Sequence, residues 1–158
     1  MREFDANGLR LAEYQGKLFE QSVDRYGCSS GIFMRRFLHS DLLKKLDEYE
    51  SVLLSLDVNE GLDEIEQQFG VSTYGKVKFS KEVMFWVGYM YRYISYTRDH
   101  KTPFLFKLFS YTQMMDLYYV YHTQDPEWCI KNLLELNNLD EKIFDRNYRL
   151  KMIMKNKI

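Results

Sequence analysis

The stretch SKEVMFWVGYMYRYISYTRD, residues 80–99, limits the possible folds more than any other part of the chain. It offers a start, about five turns and a stop. Ser80 is placed to cap the first turn, since its hydroxyl can accept from a free amide there. Phe79 and Met84 occupy staple positions on either side. Phe85, Tyr89, Tyr93 and Tyr96 follow one helical ridge, and Val87, Tyr91 and Ile94 follow another. A helix apolar on most faces is expected inside a bundle. Its length and its Tyr and Arg content argue against a membrane span.

One seam of this helix is polar. Lys81, Gly88, Arg92, Ser95 and Asp99 recur at spacings that put them on a single face. Gly88 costs roughly 1 kcal/mol against Ala in a helix, which points to close approach by another backbone. The guanidinium of Arg92 must find an acceptor or reach water. Two readings follow: a structural Arg bonded to carbonyls or a carboxylate, or a ligand or partner contact. Arg92, Ser95 and Asp99, with His122, form the candidate polar seam.

The remainder reads as helix after helix. The first spans about 8–26 and stops at Gly27. Cys28-Ser29-Ser30 opens GIFMRRFLH, and Ser40 caps DLLKKLDEY. SVLLSLD, residues 51–57, reads as a buried connector or a short extended piece. Asp57 and Glu60 have capping-box spacing. They open an amphipathic helix with Val58, Leu62, Ile65 and Phe69 inward and Glu60, Asp63, Glu64, Glu66 and Gln67 outward. Gly70 ends it, and VSTYGKVKF reads as a loop with room for a short strand. Thr102-Pro103 and Asp125-Pro126 each read as an N-cap followed by Pro at the first helical position. Ser110 and Gln113 form a second capping box. A last helix is expected from Glu141 toward Lys155, with 147–158 as a basic tail prone to fray. The expectation is one compact all-α domain, 1–158, around a buried central helix at about 80–99, with at most one short strand pair.

Size and composition agree with that. A chain of 158 residues buries roughly 70% of its unfolded surface without metals or disulfides. The 13 Tyr and 11 Phe supply core area but also mark binding surfaces. Cys28 and Cys129 are too isolated for a metal pattern or a bridge framework, which fits a reduced, cytoplasmic setting. The opening MREFDANGLRLAEYQGK lacks the apolar core of a signal peptide.

Motifs for chemistry are missing. His39, His100 and His122 are scattered singly, and there is no HExxH, glycine-rich phosphate loop or G-x-S-x-G elbow. The R-x4-H motif of HEPN-type helical ribonucleases is also absent, because Met34, Ser95 and Leu117 stand five residues before the histidines. Tyr118, Tyr119 and Tyr121 beside His122 suggest base stacking. Only Lys107 and Lys131 are nearby cations, however, so core packing is the stronger reading. No metal or cofactor is expected, and a pI near 6.3 argues against duplex DNA as a partner. An enzyme or toxin site around Arg92, Tyr93 and His122 is one alternative, and a nucleic-acid regulator using the basic tail is another.

Charge is uneven although the net charge is −1. Residues 47–75 hold eight acidic residues and no Lys or Arg, while 147–158 hold four basic residues and no acid. The acidic run is either a solvated face or a surface for a basic partner. In the second reading Glu60, Asp63, Glu64 and Glu66 are the contact residues.

Three stretches carry a resemblance: CSSGIFMRRFLHSDL, FWVGYMYRYISYTRDH and YYVYHTQDPEWCIKNLLEL. Together they resemble a family of small proteins from Gram-positive bacteria, over nearly all of residues 1–139. Members of that family look like components of toxin–antitoxin or phage-defence gene clusters, some beside an ADP-ribosyltransferase-like protein. The resemblance implies a non-enzymatic antitoxin-like or accessory protein that holds a protein partner, such as a cognate toxin. It implies no catalytic residues.

Overall fold

The computed structural model describes residues 1–49 and 57–157. Among them are nine α-helices: α1 (Ala6–Arg25), α2 (Ser30–Leu38), α3 (Asp41–Asp47), α4 (Val58–Phe69), α5 (Lys81–Arg98), α6 (Thr102–Leu108), α7 (Tyr111–Tyr121), α8 (Pro126–Leu136) and α9 (Arg146–Lys155). A 3-10 turn, Glu141–Phe144, precedes α9. No β-strand occurs among the described residues. Most of the connector expected at 51–57 lies outside them.

Helix α5 is the central element. Ser80 caps it by accepting from the Val83 amide, and Asp99 closes it in the left-handed conformation, φ 53°. From Met90 to Arg98 every residue is buried. Its main partner is α1, which runs antiparallel to it along most of its length. Gly88 is where the two backbones come closest: a Cβ there would sit 2.7 Å from the Gln15 carbonyl and 2.8 Å from the Phe19 ring. The close approach expected at Gly88 is thus made by α1.

On the other side of α1, Phe33 and Phe37 of α2 meet Phe19 edge-on, with centroids 5.2 and 4.9 Å apart. Val58, Leu62 and Ile65 turn α4 into the same core, with Phe69 at its half-buried edge. Helices α6 and α7 cover the opposite side of α5. Tyr91 stacks on Phe106 at 3.9 Å and donates to the Phe109 carbonyl.

Several expected helix boundaries differ. Helix α1 starts earlier, because the Asp5 carboxylate accepts from the Gly8 amide. It ends on Tyr26 in extended conformation, φ −101°, and Gly27 is not used as a left-handed stop. Lys78 caps that end from outside by donating to the carbonyls of Val23 and Tyr26, both at 2.6 Å. Segment 71–79 is a strap rather than a strand, accepting from the amides of Ser29 and Ser30 at the α1–α2 turn. The expected last helix divides into the 3-10 turn and α9, and Asp145 caps α9. The segment expected to fray is therefore helical as far as Lys155.

Candidate functional site

The polar seam of α5 leads to a buried hub. Arg92 is fully buried. Its Nε donates to Gln15 Oε1 at 2.9 Å, and Nη1 donates to the Leu46 carbonyl at 3.0 Å and to Ser95 Oγ at 3.3 Å. Nη2 donates to Thr102 Oγ1 at 3.2 Å. Asp47, whose side chain is 4% exposed, supplies the counter-charge at 3.0 Å. Burial lowers the Arg92 pKa, and Asp47 and Tyr49 work against that shift. Four helices, α1, α3, α5 and α6, therefore meet on one guanidinium.

Thr102 shows how the hub rewires local structure. The sequence places it as an N-cap, but it is the first helical residue of α6 and its hydroxyl does not cap. The hydroxyl donates instead to Asp47 Oδ1 at 2.7 Å, while the Thr102 amide donates to Asp47 Oδ2 at 3.0 Å. Asp47 thus caps α6 from the end of α3. A carboxylate already committed to a buried cation wins this competition, because leaving Arg92 uncompensated costs several kcal/mol.

A second hub sits at the end of α5. Arg98 grips Glu127 through both carboxylate oxygens, at 2.9 and 2.7 Å, and reaches Glu141 at 2.7 Å. Burial opposes the charge on Arg98, but the two carboxylates outweigh it and its pKa rises. Arg98 in turn lowers the Glu127 pKa, and the Tyr93 hydroxyl, donating at 2.8 Å, adds to the effect. Next to it, His100 Nε2 lies 2.6 Å from the Phe144 carbonyl, so that nitrogen carries the proton. Burial lowers the His100 pKa, the Phe144 carbonyl opposes that, and Arg149 and Arg146 reinforce it.

The candidate residues are not brought together. Ser95 joins Arg92, donating to the His100 carbonyl. Asp99 lies at the surface, 3.6 Å from Arg2. His122 is exposed at the end of α7, stacked on Tyr118 at 4.3 Å, with Nδ1 against the Tyr118 carbonyl. Cys28 is buried, so it forms no pair with the exposed His122. Among the described residues no group of His, Cys, Asp and Glu is arranged to hold a metal. No helix among them is long and apolar enough to cross a membrane.

The acidic face of α4 is largely answered from within. Asp63 pairs with Arg25, Glu66 lies 3.6 Å from Arg25, and Glu64 lies 2.7 Å from Lys45. Glu60 stands exposed in the first turn. Gln15, Asp47, Thr102 and the Arg98–Glu127 pair were not anticipated. Gln15 alone had a readable signal, a polar residue inside the apolar face of Leu11, Ala12 and Phe19.

Two surfaces display apolar side chains. The α7–α8 hairpin, tied by Asn137 donating to Gln113 at 3.0 Å, exposes Tyr119 at 76% and Val120 at 63%, with Trp128 and Leu136. Core packing therefore holds for Tyr121 and in part for Tyr118, but Tyr119 is displayed. Asp116 and Glu135 are exposed on the same hairpin. Helix α9 exposes Leu150, Ile153 and Met154 among Lys151, Lys155 and Lys157. A cleft of about 430 Å³ lies between the 138–143 segment and Tyr148, Arg149, Met152 and Ile153 of α9.

No protein-family profile, curated protein or solved structure matches the chain.

Proposed function

We propose that this chain is a non-enzymatic protein-binding protein, the antitoxin-like or accessory member of a bacterial toxin–antitoxin or defence pair, working in the cytoplasm. The observation that carries the reading is the set of exposed apolar side chains on the α7–α8 hairpin, Tyr119 and Val120 with the partly exposed Trp128, with Asp116 and Glu135 exposed on the same two helices. Displayed aromatics mark interaction surfaces, because they bury much area at little conformational cost. The carboxylates favour a partner with a basic rim, and they speed the encounter more than they tighten the complex. The α4 face supports the reading less well, since Arg25 and Lys45 already neutralise much of it.

The test is co-expression with the product of the adjacent gene, read by co-purification and by rescue from toxicity. Tyr119→Glu with Val120→Glu is expected to abolish both, whereas charge reversal at Glu60, Asp63, Glu64 and Glu66 leaves most of the complex. Capture and rescue that survive the α7–α8 substitutions would overturn this surface assignment.

A further inference from the structure

Helix α9 is apolar and basic; the 3-10 turn and Phe104 hold its Tyr148–Arg149 side, and among the described residues its Leu150–Met154 edge is left exposed. Asp145 caps it with bonds to the amides of Asn147 and Tyr148, so the helix is locally well formed. Arg149 is tied down, lying 4.5 Å over the Phe104 ring. Leu150 and Met154, one turn apart, are 57% and 68% exposed. Lys151, Lys155 and Lys157 surround them, and residues 146–157 contain no acid. Contiguous apolar surface of this kind marks a docking site.

The same chain carries the complementary surface. The α7–α8 hairpin exposes apolar Tyr119, Val120 and Trp128 and acidic Asp116 and Glu135, with the cation Lys131 one turn from Glu135. Neither of those two carboxylates joins an ion pair among the described residues. Pairing α9 with a second α9 would set lysine against lysine, so charge argues against it. We infer that α9 of one copy docks on the α7–α8 hairpin of a second copy, as a basic apolar helix laid against exposed aromatic and acidic side chains. A single ten-residue helix is only about 15 Å long. Reciprocal exchange about a two-fold axis doubles the buried area and closes the assembly. This inference rests on reading the α7–α8 face as a protein-binding surface, and it makes self-association the competitor of the heterologous partner.

Sedimentation velocity on the full chain provides the test. A reversible dimer is expected, weakening as salt rises from about 0.15 M to 1 M and the screening length falls from about 8 to 3 Å. K151E/K155E and D116K/E135K are each expected to weaken it by about tenfold or more, because each sets like charges against each other. An equimolar mixture of the two variants is expected to dimerise again, since both contacts then pair opposite charges. That recovery also shows that both variants are folded. Leu150→Gln with Met154→Gln removes the apolar part and is expected to weaken the dimer without changing its salt response.

A monomer at every concentration up to roughly 100 μM, beyond the range of weak specific interfaces, would overturn the inference. A dimer indifferent to these variants, or a mixture that fails to recover, would do the same. If the monomer instead sediments with vesicles of anionic phospholipid, α9 is a membrane-surface helix and the inference falls. A monomer whose partner capture is still lost with Tyr119→Glu and Val120→Glu overturns the self-contact and leaves the proposed function standing. A charge-swap dimer with unchanged partner capture keeps the self-contact and removes the heterologous role.

Discussion

At the scale of single residues, Arg92 and Asp47 set the largest local cost. Removing one member of a buried pair leaves the other charged and unsolvated, which costs about 3–5 kcal/mol. Arg92→Ala and Asp47→Ala are each expected to lower the thermal midpoint by about 10 °C for a domain of this size. Scanning calorimetry checks this, and a loss below about 1 kcal/mol would mean that the pair behaves as a solvated surface bridge. His100 gives a pH prediction. Its pKa is lowered in the fold from 6.5, so the unfolded chain binds the proton first as pH falls. The associated stability is complete above pH 6.5 and is lost as pH drops through the folded value. An NMR titration is expected to place His100 below 6.5; a midpoint at or above it would refute the buried, neutral ring.

At the scale of elements, the α1–α5 contact is set by what Gly88 lacks. Alanine is the better helix former by roughly 1 kcal/mol, which on an exposed face would stabilise α5. Here its methyl would collide with the Gln15 carbonyl at 2.7 Å, a backbone atom that moves only with α1. Gly88→Ala is expected to destabilise by about 1–3 kcal/mol, measured by urea unfolding. A gain in stability would show that the helices are free to separate. The polar side of the same contact is held by Gln15, which donates to the Gly88 carbonyl at 2.9 Å while accepting from Arg92.

For the whole molecule, the buried residues are distributed very unequally. Helices α1, α2, α4 and α5 share one core, whereas α9 contributes no buried residue. Deleting residues 146–158 is therefore expected to shift the thermal midpoint by no more than about 4 °C, the equivalent of about 1 kcal/mol. Circular dichroism melting checks it. A loss of cooperative unfolding would show that α9 belongs to the core. The contrast is between a core helix and one that leaves Leu150, Ile153 and Met154 in solvent.

Much of this was legible in the residues. Ser29, Ser40, Asp57, Ser80, Ser110 and Asp125 cap their helices through bonds spanning two or three residues. The burial of α5 follows from its own apolar periodicity. Such features depend on near neighbours, so a linear chain displays them. The pairing of Arg92 with Gln15 crosses 77 residues, and Thr102 abandons its capping position for a carboxylate on α3. Whether Tyr119 is covered while Tyr121 packs inside depends on which side of α7 meets α5. Sequence alone thus determined an all-α chain with a buried central helix and a polar seam. Packing decided which acid answers Arg92, which carboxylates of α4 are already held, and which aromatics are displayed, because these depend on distances that exist only once distant segments have met.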